Sequence, residues 1–228
     1  LDGALHCYQQ ALALSPQHGA IHCNLGCLWQ QQGKRTEAVA AYQRAIEYQP
    51  DLWTAYQNLV GLYLHEGDLV SALDLVRSAL NHHPQAAPLH LLLGDIYRQR
   101  GDLTLALNAY REAIRCDDRC VSAYQNLGGT LMMVNNTTGA KICFKKALDI
   151  QPGIAGIYRN LGEIYEAEGD YLKAQECFLY TLSLDPDQLD ALIKLEHLRL
   201  TLCDWEQYES RMTQMLNRLE TADSTPIV

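Results

Sequence analysis

Four asparagines recur along the chain at multiples of 34 residues: Asn24, Asn58, Asn126 and Asn160. A side-chain amide carries an acceptor oxygen and two N–H donors, so it can pair with a backbone amide of an extended peptide. A row of such amides would bind a peptide chain without reading its side chains. The same amides could instead bond neighbouring helices of the protein itself, and the sequence leaves both interpretations open.

Other residues interrupt or accompany this series. Leu92 breaks it, and Lys194 continues it with a cation. Weaker candidates for the same surface are Gln57, Gln125, Arg159, Asp95 and Glu163. A clamp for a C-terminal carboxylate would need several Lys and Arg side chains. The positions just before the asparagines and Leu92 hold only one cation, since they are Cys23, Gln57, Leu91, Gln125 and Arg159. A carboxylate clamp is therefore disfavoured.

The cysteines and histidines indicate neither a metal site nor a catalytic site. Two pairs among the eight cysteines, Cys23 with Cys27 and Cys116 with Cys120, are four residues apart, unlike the closer spacing of structural zinc ligands. We interpret the cysteines as reduced, mostly buried thiols, with an incidental disulfide or metal as the minor alternative. Reduced thiols favour an intracellular, cytoplasmic location. No histidine has a defensible spacing from a carboxylate and a nucleophile, so we expect no cofactor and no enzymatic activity in this chain.

Composition narrows the class of partner. The net charge is −9, and no cluster of Lys and Arg suits a phosphate backbone, so we expect no nucleic-acid partner. No apolar run approaches the ~18 residues that a membrane-spanning helix needs. The expected partners are therefore protein or extended-peptide clients.

The elements that must position these amides follow a repeat of 34 residues. A turn residue recurs as Gly33, Gly67, Gly101, Asn135 and Gly169, and glycine or asparagine can adopt the left-handed conformation that ends a helix. Apolar residues at helical spacing keep the same register, which predicts pairs of amphipathic helices. The small positions are Ala38, Ala72, Ala106, Ala140 and Ala174, and the large ones are Tyr42, Val76, Tyr110, Phe144 and Phe178. The turns also predict caps for the second helices at Asp68, Asp102 and Asp170.

These residues resemble the tetratricopeptide repeat. The fullest match consists of Tyr158, Leu161, Gly162, Tyr165, Ala174, Phe178 and Pro186. The resemblance implies an all-α fold, a right-handed superhelical solenoid of antiparallel helix pairs with a concave groove. Five full repeats are expected at 19–52, 53–86, 87–120, 121–154 and 155–188. Val60 and Glu196 depart from the glycine at which the two helices of a repeat pack.

The segments outside the five repeats are predicted to be partial. Residues 1–18 match only a second helix, whose apolar side around Leu5 lacks its usual cover, so we expect a trimmed longer protein and a homodimer. Residues 189–220 are predicted to form a degenerate repeat and a capping helix. We expect Asp204 to cap that helix, with an apolar stripe of Trp205, Tyr208, Met212, Met215 or Leu216, and Leu219. Residues 221–228 are predicted to be a flexible tail.

A second resemblance concerns the C-terminal segment. The run Cys203-Asp204-Trp205, followed by Tyr208 and by Arg211-Met212, is similar to the segment that joins the repeats to the catalytic region in O-linked N-acetylglucosamine transferases and the related Spindly proteins. The asparagine series also resembles the asparagine ladder of those transferases. The resemblance implies a substrate-recognition region of a nucleotide-sugar glycosyltransferase whose catalytic half is absent here. The alternative is a free-standing assembly scaffold with no enzyme attached.

Overall fold

The computed structural model describes residues 2–206 and 208–223, which form α-helices and contain no strand. The prediction of an all-α fold is confirmed. In chain order the helices are α1 Asp2–Leu14, α2 Gly19–Gln31, α3 Arg35–Tyr48, α4 Trp53–His65, α5 Leu69–His82, α6 Ala87–Arg100, α7 Leu103–Cys116, α8 Val121–Met133, α9 Thr137–Ile150, α10 Ala155–Ala167, α11 Tyr171–Leu184, α12 Leu189–Thr201 and α13 Tyr208–Asp223.

The helices group into two compact units. The N-terminal unit runs to Asn126 and the C-terminal unit begins at Leu127, so the division falls within α8. In the N-terminal unit α2 packs on α3, α4 on α5 and α6 on α7. In the C-terminal unit α10 packs on α11, which in turn packs on α12. We call the even-numbered helices α2 to α12 the first helices, and the odd-numbered helices α3 to α11 the second helices.

The turn between the two helices of a repeat has the predicted backbone conformation. Gly33, Gly67, Gly101 and Gly169 have φ between 70° and 88°, and Asn135 has φ 59°. A positive φ costs little for glycine and is tolerated by asparagine, so the chain reverses within a few residues. Cys203 takes the same conformation, with φ 58°, one repeat after Gly169.

Side-chain caps start several second helices. Asp68 accepts a hydrogen bond from the Ser71 backbone N–H (3.1 Å), and Asp170 accepts one from that of Lys173 (3.3 Å). Asn136 caps α9 in the same way, through the Gly139 N–H at 2.9 Å. The predicted cap at Asp102 is wrong, because its carboxylate pairs with Arg100 and accepts no hydrogen bond from the helix backbone.

Aromatic rings against glycines hold the helix pairs together. A Cβ atom added at Gly26 or Gly94 would lie 2.4 Å from the ring of Tyr42 or Tyr110. In the C-terminal unit Gly128 and Gly162 face the rings of Phe144 and Phe178 in the same way. The repeat at 53–86 has Val60 and Val76 at these two positions, both fully buried. In this repeat the first helix has valine where the other repeats have the smaller glycine, and the second helix has valine where they have a larger aromatic ring.

The C-terminal segment departs from the predictions in two places, at the start and at the end of its last helix. Helix α13 begins at Tyr208, while Asp204 accepts a hydrogen bond from the Glu206 N–H (3.1 Å) within the preceding turn. Trp205 therefore lies before the helix, contrary to the predicted stripe, and its side chain is 61% exposed. The side chain of Leu219 and residues 224–228 lie outside the described part, and residues 221–223 belong to α13.

The cysteines are free thiols, but they are less buried than predicted. Cys23 and Cys143 are buried, whereas Cys7 and Cys203 are exposed. Cys7 lies on α1, which packs on α2 with Leu5 and Tyr8 half-buried, while Cys7 points to solvent. The prediction of mostly buried thiols is therefore wrong at these two positions.

Candidate functional site

The side of the first helix on which each asparagine lies follows from the leucine that comes next in the sequence. Asn24, Asn58, Asn126 and Asn160 each precede a leucine that is buried against the second helix: Leu25, Leu59, Leu127 and Leu161. With 3.6 residues per turn, the residue before a buried position points about 100° away from it. Each asparagine therefore lies beside the buried face of its helix, where it can meet either a neighbouring helix or a ligand.

In the N-terminal unit the candidate side-chain amides on α2 and α4 form no hydrogen bonds, or only weak ones, with the described residues. Asn24 and Gln57 are exposed and form no side-chain hydrogen bond with a described residue. The amide nitrogen of Asn58 is half-buried and donates to sulfur atoms only, at 3.3 Å to Cys27 Sγ and 3.7 Å to Cys23 Sγ. Thiol sulfur is a weak acceptor. Burial and the neighbouring Cys27 raise the pKa of Cys23, so that thiol stays neutral and accepts weakly.

Asn126 is held much more firmly. Its amide donates to Asp95 Oδ1 at 2.9 Å, and the Tyr110 hydroxyl donates to the same oxygen at 2.7 Å. Arg98 completes the group, with its Nε donating to the Tyr110 oxygen at 3.3 Å. Burial raises the pKa of Asp95, although these hydrogen bonds and Arg98 oppose that shift. Asn126 therefore belongs to a polar network that joins α6, α7 and the start of α8.

The hydrogen bonds of the asparagines therefore differ between equivalent positions of the repeat. The Asn126 amide donates to a half-buried carboxyl group within the protein. Asn24, Asn58 and Gln57 keep amides that no strong acceptor engages. Gln125 is half-buried beside Asn126, and the break in the series at Leu92 is a buried apolar side chain.

In the C-terminal unit the candidate residues border a charged cavity. The cavity has a volume of about 210 Å³ and is lined by Arg159 and Glu163 of α10 and by Asp190, Ile193 and Lys194 of α12. Arg159 Nε is buried, has no hydrogen-bond partner, and lies 3.9 Å from Glu163 Oε1. Asn160 is half-buried, is not part of the lining, and forms no hydrogen bond with a described residue.

Lys194, which continues the asparagine series as a cation, is already paired. Its ammonium lies 2.8 Å from Glu166 Oε2, and His197 Nδ1 lies 3.7 Å from the other oxygen of that carboxylate. Sequence reasoning missed Asp190 and Ile193 as parts of this site. Stepping one repeat from Arg159 reaches Ile193, and this periodicity was the signal that could have found it.

Metal-binding clusters and membrane spans are both absent from the described residues. No group of three or more His, Cys, Asp or Glu among them could hold a metal ion. None of the described helices combines the length and the apolar character that crossing a bilayer requires.

Comparisons with known proteins identify the repeat. Models of the tetratricopeptide repeat match residues 23–88, 121–154 and 155–188, and a further model described as a TPR repeat matches residues 94–134. No curated protein matches the chain.

Solved structures show the same fold at low sequence identity. PilF of Pseudomonas aeruginosa is 17% identical over 92% of this chain and 99% of its own, with a TM-score of 0.74. Yeast Tom70 is 18% identical over 91% of this chain and 45% of its own, with a TM-score of 0.77. YrrB, described as a TPR protein with an unusual peptide-binding site, is 22% identical over 81% of this chain and 95% of its own, with a TM-score of 0.56. At these identities the likeness concerns the fold, and together with the family models it identifies the chain as an array of tetratricopeptide repeats.

Proposed function

We propose that the chain binds extended segments of partner proteins on its first helices, and that each unit does so through its own surface. The observation that carries the proposal is the set of weakly engaged amides on α2 and α4. Asn24 and Gln57 have no hydrogen-bond partner among the described residues, and Asn58 has only sulfur. Polar groups so placed can bond a ligand without first breaking a strong bond within the protein.

The N-terminal surface suits the peptide backbone. An amide can accept from a backbone N–H and donate to a backbone C=O, and α2 and α4 carry no Lys, Arg, Asp or Glu. Such a surface recognises the extended conformation more than the side-chain sequence. The likeness to YrrB, a TPR protein described as having an unusual peptide-binding site, is consistent with this use of the fold.

The C-terminal surface suits a polar or charged side chain. Arg159 carries a buried N–H without an acceptor, and a peptide carbonyl or carboxylate could supply one. Glu163 and Asp190 can accept from an N–H or pair with a cation across the same cavity. Binding here should therefore weaken as salt is raised, whereas binding to the neutral amides of the N-terminal unit should change little.

The proposal is tested by selecting ligands for the whole chain from a display library of random peptides. Peptides of about 12 residues would span up to ~40 Å when extended, enough to cross several first helices. A selected peptide is then titrated against the Asn24→Ala, Asn58→Ala double variant. Loss of two amide contacts should weaken binding about tenfold or more, while the melting temperature stays within ~2 °C of the wild type.

Asn81→Ala is the matched control, because Asn81 is an exposed amide on the second helix α5 with no hydrogen bond to a described residue. It should bind the selected peptide as the wild type does. Equal affinities for the double variant, the control and the wild type would reject the amide surface as the binding site.

A second proposed role is that of substrate-recognition region in a glycosyltransferase related to the O-linked N-acetylglucosamine transferases. Its support is the run from Cys203 to Met212, in which Trp205 is exposed and borders an open cavity with Tyr208. The exposed indole is the part of this run that a catalytic region would cover. The competing role is an assembly scaffold without an enzyme, and an intracellular location fits both because the cysteines are free.

The mass of the native protein in its source cells separates these two roles. A blot with antibody against this chain should show a band several hundred residues larger if a catalytic region accompanies the repeats, and sugar transfer can then be assayed. A band near 25.7 kDa would reject the transferase role and leave the scaffold.

A further inference from the structure

The outward-facing positions of the second helices change from mostly polar to apolar in the last full repeat. Three positions of each second helix lie on the side away from its first helix and are mostly polar. These positions hold Thr36, Gln43 and Arg44 in α3; Val70, Arg77 and Ser78 in α5; Thr104, Arg111 and Glu112 in α7; and Thr138, Lys145 and Lys146 in α9. In α11 all three become large and apolar, as Leu172, Leu179 and Tyr180.

These α11 side chains remain open to solvent. Leu172 is 66% exposed, Tyr180 46% and Leu179 43%, and only Tyr180 has a ring partner, Tyr158, at 4.3 Å. Leu172 and Leu179 are two helical turns apart and share one face of α11. Ile142 of α9, which is 60% exposed, occupies the same outward side of its own helix.

Helices α9 and α11 lie on either side of a common side chain, Tyr165 of α10. Lys141 of α9 and Lys173 of α11 each place the ammonium nitrogen 5.5 Å from the centre of the Tyr165 ring. We call the exposed residues Ile142, Leu172, Leu179 and Tyr180 the outer apolar patch. Large exposed apolar side chains that lie together on a folded protein usually mark an interaction surface.

Charges of both signs border the outer apolar patch. Lys145 and Lys146 are exposed on α9 and form no ion pair with a described residue. Asp149 on α9 and Glu176 on α11 are likewise exposed and form no ion pair. The surface therefore offers two cations, two anions and an apolar centre within the outward faces of two helices.

We propose that this surface binds a second copy of the chain in a two-fold symmetric dimer. A two-fold interface brings the same patch of both copies together, so it requires a surface that complements itself. An apolar centre meets an apolar centre, and lysines of one copy face the carboxylates of the other. A strongly acidic or strongly basic partner would leave half of these charges opposed by like charges.

The size of the surface sets the expected strength. Each of the two helices has 14 residues and is about 21 Å long, so together they offer on the order of 400 Å². A standard stable interface buries about 800 Å² per partner. The dimer should therefore be weak and reversible, with dissociation in the micromolar to millimolar range.

Sedimentation equilibrium of the whole chain from about 1 μM to about 1 mM tests the proposal. The wild type should change from monomer to dimer, and the Leu172→Glu, Leu179→Glu variant should have a dissociation constant at least about tenfold higher. Val70→Glu is the matched control, because Val70 occupies the position of Leu172 on α5 and is 70% exposed among polar neighbours. It should dimerise as the wild type does.

Charge reversal tests the symmetry itself. The Lys145→Glu, Lys146→Glu variant and the Asp149→Lys, Glu176→Lys variant should each dimerise more weakly than the wild type. An equimolar mixture of the two should form a heterodimer, because each supplies the charges that the other has lost. A chain that is monomeric throughout, or a dimer insensitive to the α11 variant, or no heterodimer in the mixture, would overturn the proposal.

Discussion

The two units build the same helix-pair contact with different rings. In the N-terminal unit Tyr42 and Tyr110 pack against glycines, and their hydroxyls donate to Gln30 (2.8 Å) and Asp95 (2.7 Å) of the first helix. In the C-terminal unit Phe144 and Phe178 make the contact without a hydroxyl. The ring against glycine is therefore sufficient for packing. The tyrosine hydroxyl adds a bond that fixes a polar side chain of the first helix.

The first-helix surfaces of the two units also differ in charge. Helices α2 and α4 carry neutral amides, whereas α10 and α12 carry Arg159, Glu163, Asp190 and Lys194 around one cavity. The packing positions of the repeat stay nearly constant while the neighbouring surface positions change. One backbone can therefore present two surface chemistries, because each surface residue stands next to a packing position that recurs in every repeat.

We expect the largest effect on stability in the last helix pair, where the glycine that packs against the ring is replaced. Glu196 replaces the glycine in α12, and its side chain is 4% exposed and pairs with Arg199 at 2.6 Å and Arg211 at 3.0 Å. Glu196→Ala would leave two largely buried guanidinium groups with only the more distant carboxylate of Asp204, at 3.7 Å from Arg199 and 3.9 Å from Arg211. We expect it to lower the free energy of unfolding by about 3 kcal/mol, measured by denaturant titration.

Glu163→Ala is the control for this prediction. Glu163 also faces an arginine, but at 3.9 Å and with a half-exposed side chain, so its loss should change stability by less than about 0.5 kcal/mol. Similar losses in the two variants would show that Glu196 is not a packing residue of the last helix pair.

Glycine-to-alanine substitutions compare how closely the aromatic ring packs against glycine in the two units. A Cβ at Gly94 would lie 2.4 Å from the Tyr110 ring, and one at Gly162 would lie 2.9 Å from the Phe178 ring. We expect Gly94→Ala to cost about 2–3 kcal/mol and Gly162→Ala to cost less, both measured by thermal and denaturant unfolding. Gly61→Ala should stabilise by about 0.5–1 kcal/mol, because it lies within α4 and a Cβ there meets nothing within 4 Å.

The backbone was largely predictable from the sequence because its signals are local. Glycine and asparagine at the turns act through their own φ preference, so Gly33 and Asn135 could be assigned without knowing any contact. Side-chain partners were less predictable. Asp102 has the same place in its turn as Asp68, yet Arg100, two residues earlier, takes its carboxylate.

The site residues were predictable as a series but not in their roles. Asn58 and Asn126 occupy equivalent positions, and what separates them is the acceptor on the preceding first helix. That acceptor is Cys27 for Asn58 and Asp95 for Asn126. The strength of a hydrogen bond depends on the partner atom and its burial, and a residue series alone does not give either.

A smaller effect is expected in the pH dependence of the N-terminal unit. Burial raises the pKa of Asp95 above its ordinary value of 3.8, so the folded state holds the proton more tightly than the unfolded state. Stability contributed at this site is therefore greatest at low pH and falls as pH rises from 3.8 through the folded pKa. Asp95→Asn keeps an acceptor oxygen and removes this titration.

The stability difference between Asp95→Asn and the wild type should accordingly rise in favour of the variant across that pH window and then level off. Urea titrations over a series of pH values measure it. A flat difference for Asp95→Asn would refute the account of the network.

We propose that the hydrogen-bond acceptor decides whether a first-helix asparagine serves packing or binding. The most direct measurement is the free energy of unfolding and the affinity for a selected peptide, taken together for Asn126→Ala and Asn58→Ala. Asn126→Ala should lose about 1–2 kcal/mol of stability, because Asp95 loses a donor. Asn58→Ala should lose less than about 0.5 kcal/mol and bind the peptide about three- to tenfold more weakly. The reverse pattern, with Asn58 needed for stability and dispensable for binding, would contradict the account.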